Sequence, residues 1–136
     1  MTELKKILVV DDENGIRCLL SEVLASEGFE VSMAKDGQES LDQLEKKQFD
    51  LVITDIQMPR VDGITLVKRM KEAGRREKVI VMTGSSLGRN LCREDMPPVV
   101  TRLQKPFRMH SFLDVVTAAM ANKEVRTGEE DVRQLC

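Results

Sequence analysis

Four short apolar runs in this chain each lead into a carboxylate, hydroxyl or ammonium side chain. Ile7-Leu8-Val9-Val10 runs into Asp11-Asp12, Leu51-Val52-Ile53-Thr54 into Asp55, Val79-Ile80-Val81-Met82 into Thr83, and Val99 to Gln104 into Lys105. Uninterrupted apolar runs of this length, bounded by turn formers and separated by helical patterns, mark strands covered on both faces and hence a parallel sheet. Open parallel sheets bind ligands just beyond the carboxyl ends of their strands. Three acids, a hydroxyl and an ammonium are therefore expected along one edge of one sheet.

The segments between these runs complete a βα alternation repeated five times. Lys5 to Val10 reads as the first strand, and Ile16, Leu19, Leu20, Val23 and Leu24 follow at helical spacing until Gly28 closes the helix. Glu30 to Ala34 is a short second strand. Asp36, with Glu39 three residues on, resembles a capping box opening a helix that buries Leu41 and Leu44. Leu51 to Thr54 is the third strand. Ile64, Val67 and Met70 form the inner stripe of a third helix that stops near Gly74, and Lys78 to Met82 is the fourth strand. Gly84, Gly88, Pro97 and Pro98 leave room only for a short fourth helix near Gly88 to Glu94. Val99 to Gln104 is the fifth strand, and Phe112, Val115, Val116, Ala119 and Met120 make the last helical stripe. With right-handed crossovers and helices on both faces, the expected fold is an α/β three-layer sandwich around a five-stranded parallel sheet. Residues 1–123 are expected to form one domain and 124–136, which lose periodicity, a solvated tail.

Composition narrows the function classes. A chain of 136 residues is long enough for a core of its own. Cys18, Cys92 and Cys136 are odd in number and lack C-x-x-C spacing, which argues against a disulfide framework or a zinc site and fits a cytoplasmic protein. No apolar stretch approaches the roughly 20 residues of a membrane span. With 21 basic against 23 acidic residues, direct nucleic-acid binding is not expected.

Three carboxylates gathered at neighbouring strand ends repel one another unless a cation lies among them. Hard oxygen donors without cysteine or histidine favour Mg²⁺, which takes one or two carboxylates and fills its remaining positions with water and phosphate oxygen. A carboxylate can itself be the nucleophile toward phosphorus while metal and ammonium absorb the charge of the transferred oxygens. Lys105 would supply the ammonium and Thr83 a hydroxyl. Acidic pairs after strands are often only solvated caps, and a lone Thr or Lys-Pro at a strand exit is usually a turn; the combination points to a site. His110 reads as an exposed residue opening the last helix, and the methionines as packing.

These residues resemble the receiver domain of two-component response regulators from about Lys5 to Asn122. The resemblance rests on the Asp11-Asp12 pair, Asp55-Ile56-Gln57-Met58-Pro59 followed by Asp62-Gly63, Met82-Thr83-Gly84, and Gln104-Lys105-Pro106-Phe107. It implies a flavodoxin-like fold with strand order 2-1-3-4-5. It further implies that Asp55 accepts a phosphoryl group from a sensor histidine kinase or phosphotransfer protein. Mg²⁺ would be held by Asp12, Asp55 and the Gln57 backbone carbonyl, with Asp11 acting largely through water. Lys105 would bind the phosphoryl group beside a cis peptide at Pro106, and Thr83 would be the switch hydroxyl. Such a chain is a phosphoacceptor rather than a turnover enzyme. Its output would be a downstream protein target, or a second copy in a homodimer, meeting the face of the fourth helix, fifth strand and fifth helix, selected by a population shift on phosphorylation.

The sequence departs from that family at Arg102, where receivers usually carry a Phe or Tyr that swings inward with the threonine. Arg89, Arg93 and Arg108 add charge to the same face, and Met96-Pro97-Pro98 replaces the usual lead into the fifth strand. A receiver-fold binding module without a phosphorylation switch is therefore the alternative. An aspartate-nucleophile phosphatase would want a second Asp where Gln57 stands, and no G-x-G-x-x-G follows the first strand.

Overall fold

The structure, a computed structural model, describes residues 4–56, 58, 61–84 and 99–121, with backbone alone over 99–101. Five strands, β1 (Lys6–Val10), β2 (Glu30–Ala34), β3 (Leu51–Asp55), β4 (Lys78–Thr83) and β5 (Val99–Gln104), pair in parallel in the order β2-β1-β3-β4-β5. Four helices are described: α1 (Asn14–Ser26), α2 (Gly37–Lys46), α3 (Gly63–Glu72) and the last, α4 (Met109–Ala121). The expected three-layer sandwich and strand order are both observed.

Alternation along the central strands divides the core into two layers, because successive side chains point to opposite faces of a sheet. Leu8, Val10, Val52, Val79 and Val81 pack with Leu44, Leu66, Val67 and Met70 on the α2 and α3 side. Ile7, Val9, Leu51, Ile53, Ile80 and Met82 pack with Leu20, Leu24, Phe112 and Val116 on the α1 and α4 side. The apolar runs are continuous because both layers need them.

Local chemistry sets the ends of the helices. Asp36 and Asp62 cap α2 and α3 by accepting from Glu39 N and Thr65 N, each at 2.8 Å. Glu39 reaches back to Lys35 N at 2.9 Å, one residue earlier than a strict capping box requires. After α1, Gly28 N–H donates to Ala25 O and Phe29 N–H to Leu24 O; after α3, Gly74 N–H donates to Lys71 O and Arg75 N–H to Met70 O. These are paired Schellman bonds, and they place the glycines at φ +97° and +74°, which disfavours any residue with a Cβ.

Three details differ from the expectations. The first strand starts at Lys6, while β3 and β4 run one residue further to take in Asp55 and Thr83, because Asp55 still pairs with Met82 and Thr83 with Gln104. Leu19 is 47% exposed, so the inner stripe of α1 is narrower than its apolar spacing. The expected fourth helix, Gln57, Arg89, Cys92, Arg93, the Met96-Pro97-Pro98 lead and the tail 124–136 lie outside the described residues. His110 is exposed in the first turn of α4, as expected.

At the sheet end opposite Asp55, Arg75 donates to Leu44 O and Lys47 O and pairs with Glu77, whose Oε2 also accepts from Phe49 N at 3.0 Å. This ties the close of α2 and the entry to β3 to the entry to β4. Burial works against the Glu77 charge, but hydrogen bonds from Arg75 and the Phe49 N–H outweigh it and leave its carboxyl below the usual value of 4.5. A lowered folded pKa means that the stabilisation is complete above about pH 4.5 and is lost as pH falls through the folded value. Glu77→Gln should therefore cost about 3 kcal/mol at pH 7 in urea unfolding. The variant should also lose less further stability than wild type between pH 5 and 3.

Candidate functional site

The ends of β1, β3 and β5 bring the acids and the lysine together. Asp11 follows β1, held by its N–H donating to Ala34 O at 3.2 Å, and its side chain is fully buried. Asp55 closes β3 at 8% exposure, and Asp12 is exposed. Carboxylate oxygens of Asp11, Asp12 and Asp55 all lie within 4.8 Å of one another. Lys105 follows β5; its N–H donates to Thr83 O at 2.8 Å, which fixes it beside the end of β4, and its bond to Pro106 is cis. The Lys105 Nζ donates at 3.0 Å to both Asp11 Oδ2 and Asp55 Oδ2. Thr83 is buried next to this bridge along the backbone, and Gly84 follows it.

Residues distant in sequence thus meet where the strand pattern places them. Asp11, Asp12, Asp55 and Lys105 form one cluster with Thr83 anchored to Lys105 through the backbone, while Gln57 lies outside the described residues. Two residues not singled out in the sequence join them. Glu13 donates its N–H to Asp11 Oδ1 at 2.9 Å and brings Oε1 to 3.6 Å from Lys105 Nζ. Arg17 donates from Nη1 to Asp11 O at 2.8 Å and from Nη2 to the Asn14 side chain. The signal for Glu13 was a third acid directly after Asp11-Asp12. For Arg17 it was the tilt of helical side chains toward the N-terminus, which returns a residue in the first turn to the loop before it.

Desolvation weakens the Lys105 charge, but hydrogen bonds and attraction from Asp11 and Asp55 outweigh it and raise its pKa above the ordinary 10.5. Four carboxylates, those of Asp11, Asp12, Asp55 and Glu13, share the cluster with this one ammonium, which leaves it with an excess of negative charge. The donors are oxygens only, and a divalent hard cation matches both their chemistry and that residual charge. Such a pocket can receive a phosphoryl group whose oxygens pair with the ammonium.

Residues 7–117 match the response regulator receiver domain. The chain belongs to that family. As a receiver domain it is a phosphorylation-dependent signalling module of two-component systems. Its relatives include sporulation initiation phosphotransferase F of Bacillus subtilis, 38% identical over 82% of this chain and 90% of that one. The transcriptional regulatory protein FixJ of Bradyrhizobium diazoefficiens is 35% identical over 98% of this chain but only 65% of its own length. Among solved structures, the response regulator TrrA of Thermotoga maritima, in complex with Mg²⁺ and BeF, superposes with a TM-score of 0.74 at 34% identity, covering 84% of this receiver and 97% of TrrA. Receiver domains bind Mg²⁺ through an acidic cluster and work with histidine kinases or phosphotransfer proteins and with downstream effectors. This receiver carries Arg102 half-buried on β5 opposite Val81, at the position where the family usually has its aromatic. No helix among its described residues is long and apolar enough to cross a membrane.

Proposed function

We propose that Asp55 is the phosphoacceptor of a cytoplasmic receiver domain spanning residues 1–123, charged by a sensor histidine kinase or a phosphotransfer protein. The observation that carries this reading is the Lys105 ammonium held at 3.0 Å from both Asp55 and Asp11. Asp11, Asp12 and Asp55, together with the Gln57 carbonyl, would hold Mg²⁺. The bound metal would neutralise charge on the carboxylate and phosphoryl oxygens.

An Asp55 carboxylate oxygen attacks phosphorus, the phosphorus–nitrogen bond of the donor phosphohistidine breaks, and its electron pair returns to the imidazole. The Lys105 ammonium, already paired with Asp55, follows the developing charge onto a phosphoryl oxygen. The Thr83 hydroxyl donates to another oxygen and couples the event to the loop after β4. Each chain takes one phosphoryl group and loses it by hydrolysis, so the product is a changed surface rather than a turned-over substrate. That surface, built by the fourth helix of the family, β5 and α4, receives a downstream protein or a second copy of the chain.

Incubation with acetyl phosphate and Mg²⁺ should raise the intact mass by one phosphoryl group, and Asp55→Asn should abolish the rise. Phosphorylation that survives Asp55→Asn overturns the assignment. Arg102 supports one rival, a binding module that has lost the switch. An unphosphorylated wild type that captures the same partner as Asp55→Asn would favour it.

A further inference from the structure

Glu13 breaks a local rule. It is the N-cap of α1, a position that favours Ser, Thr, Asp or Asn because a short side chain can accept from the next turn, yet its side chain makes no capping bond. Its backbone does the local work: the carbonyl accepts from Arg17 N at 2.9 Å and the N–H donates to Asp11 Oδ1 at 2.9 Å. The carboxylate instead extends to Lys105, 3.6 Å from an ammonium already shared by two nearly buried acids. Its side chain is 64% exposed, against 11% for Asp55 and 0% for Asp11, so among the three acids on Lys105 it stands outermost. A residue that forgoes a stabilising cap to face a reactive cluster is more simply explained by the cluster than by the helix.

We infer that Glu13 is a displaceable counter-anion at the mouth of the phosphoryl pocket, a specificity-determining residue that favours the cation and resists free phosphoryl-like anions. The inference rests on the phosphoacceptor reading above. An incoming phosphoryl oxygen needs Lys105 and must move the Glu13 carboxylate aside, whereas an incoming Mg²⁺ gains from one more nearby negative charge. A small free anion has only its own charge to offer for that displacement. A protein donor brings contacts over its whole interface, so the barrier selects donors that dock.

The two ligands should respond to Glu13 with opposite signs, which a merely structural role would not produce. In Glu13→Gln, Mg²⁺ affinity measured by calorimetry should fall about three- to fivefold at low salt. Affinity for beryllofluoride at saturating Mg²⁺, followed by NMR, should rise by about the same factor. Both differences should shrink at about 0.5 M salt, because exposed charges are screened. Glu13→Ser should show the same opposed shifts while its Tm rises by a few degrees, since serine caps α1 where glutamate does not. Unchanged affinities, shifts in the same direction, or shifts insensitive to salt overturn the inference. Failure of both wild type and Glu13→Gln to accept a phosphoryl group from acetyl phosphate overturns the phosphoacceptor reading instead. A phosphorylated wild type matched in both affinities by Glu13→Gln overturns the Glu13 role alone.

Discussion

Lys105→Met is expected to slow phosphorylation of Asp55 by about a hundred- to a thousandfold, the usual cost of removing a preorganised group from developing oxyanion charge. Methionine keeps much of the length and volume of the side chain, so the loss would report on charge. Intact-mass measurements over time with acetyl phosphate and Mg²⁺ give the rate, and a variant phosphorylated as fast as wild type would remove Lys105 from the mechanism. The same substitution leaves the fully buried Asp11 carboxylate facing Asp55 without the ammonium that now pairs with both at 3.0 Å. Breaking a buried pair from one side costs about 3 kcal/mol when nothing replaces the lost partner. Mg²⁺ is such a replacement, and a ligand that binds only the folded state stabilises it. Urea unfolding should therefore show a variant weakened without Mg²⁺ and restored further by the ion than wild type is.

The pH range for that comparison follows from the direction of the Lys105 shift. With its folded pKa raised above 10.5, the lysine is fully charged at neutral pH and loses its contribution to the ion pair only as pH climbs through the folded value. Measurements at pH 7 accordingly compare a full charge with none. Lys105→Arg would restore the charge but not the compact point geometry, since a planar guanidinium spreads its donors over a wider fork. It should recover stability better than rate.

The site was legible in the sequence to the extent that it is built from strand ends. An apolar run that stops at Asp55 and another that stops at Thr83 fix which side chains share an edge, because a parallel sheet aligns the carboxyl ends of its strands. Gly28 and Gly74 were equally readable as helix stops, since a positive φ is a demand that local sequence must meet. Contacts made by long polar side chains were not. Glu77 reaches Phe49 N across 28 residues, and Lys78 Nζ reaches Ala119 O across 41, which depends on how the loops at the far end of the sheet come together. Leu19 was misplaced for a related reason. An i, i+3, i+4 pattern locates a helix face but does not decide which flanking position turns outward, and Leu20 and Leu24 take the core while Leu19 is left at the rim.

Gly63→Ala is expected to destabilise the Asp55 end of the sheet strongly. Gly63 opens α3 directly after its cap, and its N–H donates to Ile56 O at 2.8 Å, which draws the helix start against the end of β3. A Cβ there would lie 2.2 Å from Asp55 O and 2.8 Å from Ile56 Cα. Both are backbone atoms, so no side chain can swing away, and either α3 or the strand end carrying Asp55 has to move. A loss of about 3 kcal/mol or more is expected in urea unfolding, with slower phosphorylation of whatever remains folded. Gly15→Ala is the matched control, since it lies in the first turn of α1 and a Cβ there meets nothing within 4 Å. Alanine is the better helix former, so that variant should gain stability, by up to about 1 kcal/mol. Opposite signs from one chemical change would show that the cost at Gly63 comes from the close approach of α3 to the Asp55 carbonyl. A Gly63→Ala variant as stable as wild type would mean that the helix start and the strand end are not in contact as described.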